Sequence, residues 1–143
     1  MPGEMTDRRG PGRRESLDEL VGLVVLVLED DELARAALVS LLTSWGATVA
    51  EAPSLAAALE QLQRGLQPAL LISDYRLPGP ENGIQAVLRL RLAAHKEIPA
   101  CLISGDTDPD LMQAAKLAGL TLMHKPVRPA KLRSLIGRLA KRS

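Results

Sequence analysis

Three acidic residues follow apolar runs of the sequence, where strands of a parallel sheet are expected to end. Glu29 and Asp30 follow the run 23–28, and Asp74 follows the run 69–72. Because ligands of open α/β sheets bind at the carboxyl ends of the strands, the three carboxylates converge if these strands are neighbours. Such a cluster needs a cation to offset its repulsion, and hard oxygen ligands with room for water favour Mg²⁺.

Asp74 is the candidate reactive residue. It is followed by a stretch rich in Pro and Gly, 75–83, which predicts a loop after a buried strand. An ionised carboxylate held beside Mg²⁺ can attack an electrophilic phosphorus. Lys125, at the end of the last apolar run, can neutralise charge on the transferred group, and the Ser104 hydroxyl can donate a hydrogen bond to it.

The elements that position these residues come from a repeating pattern. Apolar runs alternate with stretches at helical spacing five times between Leu23 and Leu139. This alternation predicts the α/β class with a (βα)5, doubly wound, five-stranded parallel sheet. The predicted strands are 23–28, 47–50, 69–73, 100–103 and 121–124. The predicted inward helix faces are Leu33, Ala37, Leu38, Leu41 and Trp45; Leu55, Ala58, Leu59 and Leu62; Ile84, Val87, Leu88 and Leu92; Met112, Ala115 and Ala118; and Leu132, Leu135, Ile136 and Leu139.

Length and composition indicate one globular domain. The chain has 143 residues, 46% of them hydrophobic and 24% charged, and a net charge of +1, which argues against direct nucleic-acid binding. Residues 1–19 carry Gly, Pro and mixed charges with few apolar side chains. We therefore expect a disordered tail or linker over 1–19 and a folded domain over 20–143.

The same numbers bear on location. Cys101 is the single cysteine, so an intramolecular disulfide is excluded and a reducing, cytoplasmic setting is expected. The apolar run before Glu29 is too short to span a bilayer and is followed by acids rather than a cleavage site, so no membrane association is predicted.

The motifs together resemble the receiver domain of two-component response regulators. The resemblance rests on the pair Glu29-Asp30, on Asp74 with Leu77-Pro78 and Gly83 behind it, on Ser104-Gly105 and on Lys125-Pro126. It runs from Leu23 to Leu139 and implies a flavodoxin-like, three-layer sandwich. The amino-acid sequence of residues 74–83 most resembles that of receivers fused to hybrid sensor histidine kinases.

The resemblance also implies a role for each matching residue. Asp74 is expected to accept a phosphoryl group from a phosphohistidine. Asp30 and Asp74 would bind Mg²⁺ directly, Glu29 through water, and Arg76 through its main-chain carbonyl. Lys125 would hold the phosphoryl group, with a cis peptide to Pro126, and Ser104 would be the switch hydroxyl.

The implied partners are a sensor histidine kinase or phosphotransfer protein, and a downstream protein or fused domain that reads the changed surface. One residue departs from the family: Leu122 stands where the family usually has an aromatic switch residue, and the chain has no Phe. Two alternatives stay open here. One is a Mg²⁺-dependent phosphohydrolase, although Arg76 occupies the position of its usual second acid; the other is a degenerate receiver that acts only as a docking module.

Overall fold

The computed structural model describes residues 20–141, so the predicted tail over 1–19 lies outside the described residues. Five parallel strands form one sheet in the order β2-β1-β3-β4-β5. Five helices alternate with them, which confirms the predicted (βα)5 fold. The elements are β1 Val24–Leu28, α1 Glu32–Ser44, β2 Thr48–Ala52, α2 Leu55–Gln63, β3 Leu70–Asp74, α3 Gly83–Ala94, β4 Ala100–Ser104, α4 Pro109–Leu117, β5 Thr121–His124 and α5 Pro129–Ala140.

The sheet is buried on both faces, which is why its central strands read as continuous apolar runs. Alternate residues of each strand enter opposite layers. On one face, side chains such as Val25 and Ile72 pack against α1 and α5. On the other, side chains such as Leu26 and Leu71 pack against α2, α3 and α4. The helices cover the two faces of the sheet, so a site can form at the carboxyl ends of the strands.

Polar side chains cap the starts of α1, α2, α3 and α4. The Ser54 hydroxyl accepts from the Ala57 N–H at the start of α2, and the Asp108 side chain accepts from the Asp110 N–H at the start of α4. Ser and Asp are both residue types that are preferred at this position. At α3, Asn82 and Gln85 form a reciprocal capping box. That box fixes where the loop after Asp74 turns into helix.

Three predicted helix faces need correction. In α1, Leu33 is 83% exposed and Ala37 is exposed, while Leu42 is buried instead. In α3, Leu92 is 73% exposed and Leu88 is also exposed. The physical reason in α3 is that Gly83 packs on the end of β3, which sets the rotation of the helix. The buried residues are then Gly83, Ala86, Val87 and Leu90.

The fourth helix differs as well. Leu111 and Ala115 are its buried residues, whereas the predicted Met112 is exposed and Ala118 is only partly buried. The α5 face of Leu132, Leu135, Ile136 and Leu139 is buried as predicted. None of the helices within 20–141 combines the length and apolar character needed to traverse a bilayer.

Candidate functional site

The structure brings the three predicted acids together. Leu28 pairs with Ser73 in the β1–β3 register, so Glu29 and Asp30 leave β1 beside Asp74 at the end of β3. Carboxylate oxygens of the three side chains all lie within 4.8 Å of one another. Asp30 is exposed, whereas Glu29 and Asp74 are 3% and 8% exposed. Two buried carboxylates and one exposed carboxylate suit a divalent cation that keeps some of its water ligands.

The raised pKa of Glu29 indicates that the acidic cluster favours a nearby positive charge. Burial raises the pKa of its carboxyl to about 7, and the charge of Asp74 acts in the same direction. A hydrogen bond from the Asp31 N–H to Glu29 Oε2, at 3.1 Å, offsets part of this rise. The carboxylates therefore resist ionising together, and a bound cation would remove that resistance. The donor set fits Mg²⁺.

Lys125 supplies a cation from the end of β5. Its Nζ lies 3.0 Å from Asp74 Oδ2 and 3.8 Å from Glu29 Oε1. Burial alone would lower the pKa of this ammonium, but the hydrogen bond and charge of Asp74 raise it above its ordinary value. Its backbone is fixed by an N–H bond to the Ser104 carbonyl, at 2.8 Å, and the peptide to Pro126 is cis, as predicted. Lys125 therefore stays charged beside Asp74.

Asp74 is held by its own loop. The Arg76 N–H donates to Asp74 Oδ1 at 3.2 Å, and the Ser73 hydroxyl donates to the Asp74 carbonyl at 2.9 Å. The loop then folds back so that the Gly83 N–H donates to the Tyr75 carbonyl at 2.7 Å. A Cβ at Gly83 would collide with the Asp74 carbonyl oxygen and lie 2.9 Å from Tyr75 Cα. Glycine is thus required by a close approach of backbone to backbone.

Ser104 and Leu122 lie where the sequence predicts. Ser104 ends β4 next to β3, is buried, and its hydroxyl accepts from the Asp106 N–H at 2.9 Å. Leu122 lies on β5, is partly buried and packs with the α2–α3–α4 layer. The Arg76 guanidinium pairs with Asp106 at 3.0 Å, joining the loops after β3 and β4.

Three residues near the site escape the sequence reasoning. Asp31 caps α1 and binds Glu29 through its N–H. Asp106 accepts the Arg76 ion pair, and Arg35 donates to the Glu29 carbonyl. Asp31 was within reach of a sequence reading, because an acid before a helical stretch is an N-cap signal. Arg35 and Asp106 have partners distant in sequence, which no local pattern reveals.

A cavity of about 810 Å³ adjoins the site between α1 and the segment after β5. Glu29 and Lys125 lie among its polar lining residues. Most of the remaining lining is apolar and comes from Ala34, Ala37, Leu38, Leu41, Ile103 and Val127. The acidic cluster is therefore flanked by an apolar surface on the α1 side.

Comparisons with known proteins agree with this geometry. The family model described as the response regulator receiver domain matches residues 25–137. The chain is 31% identical over 119 residues to the two-component response regulator ORR6 of Oryza sativa subsp. japonica, covering 80% of this chain and 69% of that protein. It is 43% identical over 67 residues to the cyclic di-GMP phosphodiesterase response regulator RpfG of Xanthomonas campestris, covering 46% of this chain and 18% of that protein.

Solved structures show the same fold. The chemotaxis protein CheY4 of Vibrio cholerae has a TM-score of 0.75 and 26% identity, covering 83% of this chain and 99% of the other. A response regulator receiver protein from Pseudomonas putida has a TM-score of 0.74 and 28% identity, covering 82% and 98%. With the family model spanning nearly all of the sheet, the chain belongs to the response regulator receiver domain family.

Proposed function

We propose that Asp74 is the phosphoacceptor of this receiver domain and that the reaction depends on Mg²⁺ held by the acidic cluster. The observation that carries the proposal is the position of the Lys125 ammonium, 3.0 Å from a carboxylate that shares one cluster with Glu29 and Asp30. Receiver domains bind Mg²⁺ at an acidic pocket and interact with kinases or phosphotransfer proteins. Both properties suit this arrangement.

Asp74 Oδ would form a bond to phosphorus as the bond between phosphorus and an imidazole nitrogen of the donor breaks, and the electron pair leaves with the imidazole. Asp30 and Asp74 would be direct Mg²⁺ ligands, Glu29 would act through water, and the Arg76 carbonyl would complete the set. When bound, Mg²⁺ would neutralise charge on the phosphoryl oxygens. Lys125 would hold one of these oxygens, and Ser104 would donate its hydroxyl to another.

A histidine-phosphorylated protein is the donor that we propose, either a sensor kinase or a phosphotransfer protein. The exposed Leu33 and the apolar cavity on the α1 side provide packing surface next to the acids. Such a surface suits a protein donor better than a small phosphate ester. The product would be an acyl phosphate on a signalling domain, read by a downstream protein or a fused domain.

The phosphohydrolase alternative has less support. Its usual second acid would stand two residues after Asp74, where this chain has Arg76, and the Arg76 side chain is paired with Asp106. Without an acid at that position, the residue that usually protonates the leaving alcohol in such enzymes is missing. We therefore propose a phosphoacceptor with at most slow self-dephosphorylation.

Treatment with acetyl phosphate and Mg²⁺, followed by intact mass measurement, tests the proposal. One phosphoryl group should appear on the wild type and on Asp110→Asn, an exposed acid in the first turn of α4, and none on Asp74→Ala. Label on a His or Ser would reassign the acceptor. Absence of label on the wild type, with no beryllofluoride binding, would favour the docking module instead, and steady release of phosphate from aryl phosphates would favour the hydrolase.

A further inference from the structure

Arg35, at the end of the first turn of α1, reaches back to the end of β1. Its side chain is 17% exposed. Nη1 donates to the Glu29 carbonyl oxygen at 2.9 Å, and Nε donates to Glu51 Oε1 at 3.1 Å. One guanidinium therefore joins the start of the first helix, the end of the first strand and the second strand.

The Glu29 carbonyl belongs to the peptide bond that joins Glu29 to Asp30. The Glu29 N–H is still part of the sheet, because it donates to the Ala52 carbonyl at 3.1 Å. The carbonyl lies past the last paired residue of β1, Leu28, and receives its hydrogen bond from Arg35. Arg35 thus orients the peptide plane between the two acids.

Glu51 holds the guanidinium in place from β2. Its carbonyl accepts from Gln61 Nε2 of α2 at 2.6 Å, so the anchor is itself tied to a helix. The planar fork of arginine can serve the carbonyl and the carboxylate at once, whereas the single ammonium of lysine lacks this fixed geometry. The contact is therefore specific to arginine rather than to positive charge.

We infer that Arg35 is a positioning residue for Mg²⁺ binding by Glu29 and Asp30. This inference rests on the proposed function, which gives the two acids their metal. Arg35 acts through the Glu29–Asp30 peptide and is not itself a ligand. Its own positive charge opposes a nearby cation, so loss of charge and loss of positioning change Mg²⁺ affinity in opposite directions.

That difference in sign defines the experiment. Mg²⁺ alone is titrated into the full chain at pH 7.5 and followed by amide chemical shifts, for wild type, Arg35→Met and Arg35→Lys. The control is Arg64→Met, which removes an exposed arginine of the α2 end whose guanidinium pairs with Glu60 at 3.0 Å. Disrupted outer-shell contacts weaken metal sites by about 10-fold or more, so both Arg35 variants should raise the Kd about tenfold, and Arg64→Met should leave it unchanged.

A second readout does not depend on the metal. The carbonyl carbon shift of Glu29 in Mg²⁺-free protein should move in Arg35→Met and Arg35→Lys and stay fixed in Arg64→Met. An unchanged or lower Kd in both Arg35 variants would overturn the inference, even if their melting temperatures fall. If Arg35→Met fails to fold, Arg35→Lys decides alone. A wild type that binds no Mg²⁺ would instead refute the proposed function on which the inference depends.

Discussion

Replacing Gly83 with Ala should damage both the stability and the chemistry of the domain. Gly83 begins α3 directly against the end of β3, and an added Cβ would lie 2.7 Å from Leu102 Cδ1 and 2.9 Å from Tyr75 Cα, and closer still to the Asp74 carbonyl oxygen. The leucine methyl can rotate away. The backbone of Asp74 and Tyr75 cannot, so helix and strand would have to separate by about half an ångström or more.

The expected cost follows from that geometry. Overpacking of a close contact costs roughly 1–3 kcal/mol, and a clash with backbone belongs at the upper end; alanine regains up to about 1 kcal/mol of helix propensity. The net loss should be about 2 kcal/mol, which lowers the Tm of a domain of this size by ~8 °C. Because the displaced backbone carries Asp74, the rate of phosphorylation by acetyl phosphate should fall as well.

Urea unfolding followed by circular dichroism measures the first effect, and intact mass against time measures the second. Gly105→Ala is the matched control, since Gly105 follows Ser104 at the same edge of the sheet and a Cβ there would meet no atom within 4 Å. If the free energies of unfolding of Gly83→Ala and Gly105→Ala differ by less than about 0.5 kcal/mol, the close approach of Gly83 to the end of β3 does not constrain the fold as we describe.

Three further predictions concern the acids and the switch. Asp30→Asn should weaken Mg²⁺ binding at least about tenfold in a calorimetric titration while the Mg²⁺-free fold keeps or gains stability, and an unchanged affinity would exclude Asp30 as a ligand. Burial raises the pKa of Glu29 from 4.5 to about 7 in the folded protein, so the unfolded chain loses this proton at lower pH than the folded protein does. The free energy of unfolding of the Mg²⁺-free protein should therefore fall as the pH rises from the lower pKa through the higher one. Urea titrations of wild type and Glu29→Gln should differ in this trend by about 2 kcal/mol between pH 5.5 and 8, and parallel curves would show that Glu29 is not the titrating group. With Leu122 in place of the usual aromatic residue, beryllofluoride should change amide shifts in the loops after β3 and β4 more than over 111–122 and 129–136, which cover most of α4, the start of β5 and the first part of α5. Large changes across those two ranges would show that this surface is coupled to the phosphorylation site as strongly as the loops are.

The strands and the acidic cluster could be predicted because each depends on a local signal. Continuous apolar runs mark strands buried on both faces, and the residue that follows each run lies at the carboxyl edge. Asp74 and Lys125 were therefore placed together from their positions alone, and the structure puts them 3.0 Å apart. Because all five strands are parallel, the residues that follow them lie at the same edge of the sheet.

Helix rotation was harder to predict because some helices have apolar residues on more than one side. In α3, the spacing of Leu88 and Leu92 is as helical as that of Ala86 and Leu90, yet only the second pair is buried. The close contact of Gly83 with the end of β3 decides which of these faces is buried, and a tertiary contact of this kind cannot be seen in the local sequence pattern. Arg35 was missed for a similar reason, because its acceptors are a backbone carbonyl and a side chain on another strand.

The order of the strands has a consequence for synthesis of the chain. The acids leave β1 and β3, while the ammonium that contacts Asp74 comes from the end of β5, which joins the sheet beside β4. A nascent chain that has reached only β4 already carries the acidic cluster but has no Lys125 to oppose it. Under the proposed function, Lys125 can hold a phosphoryl oxygen only after this last strand has been made and has joined the sheet, so a chain that stops after β4 would lack that contact.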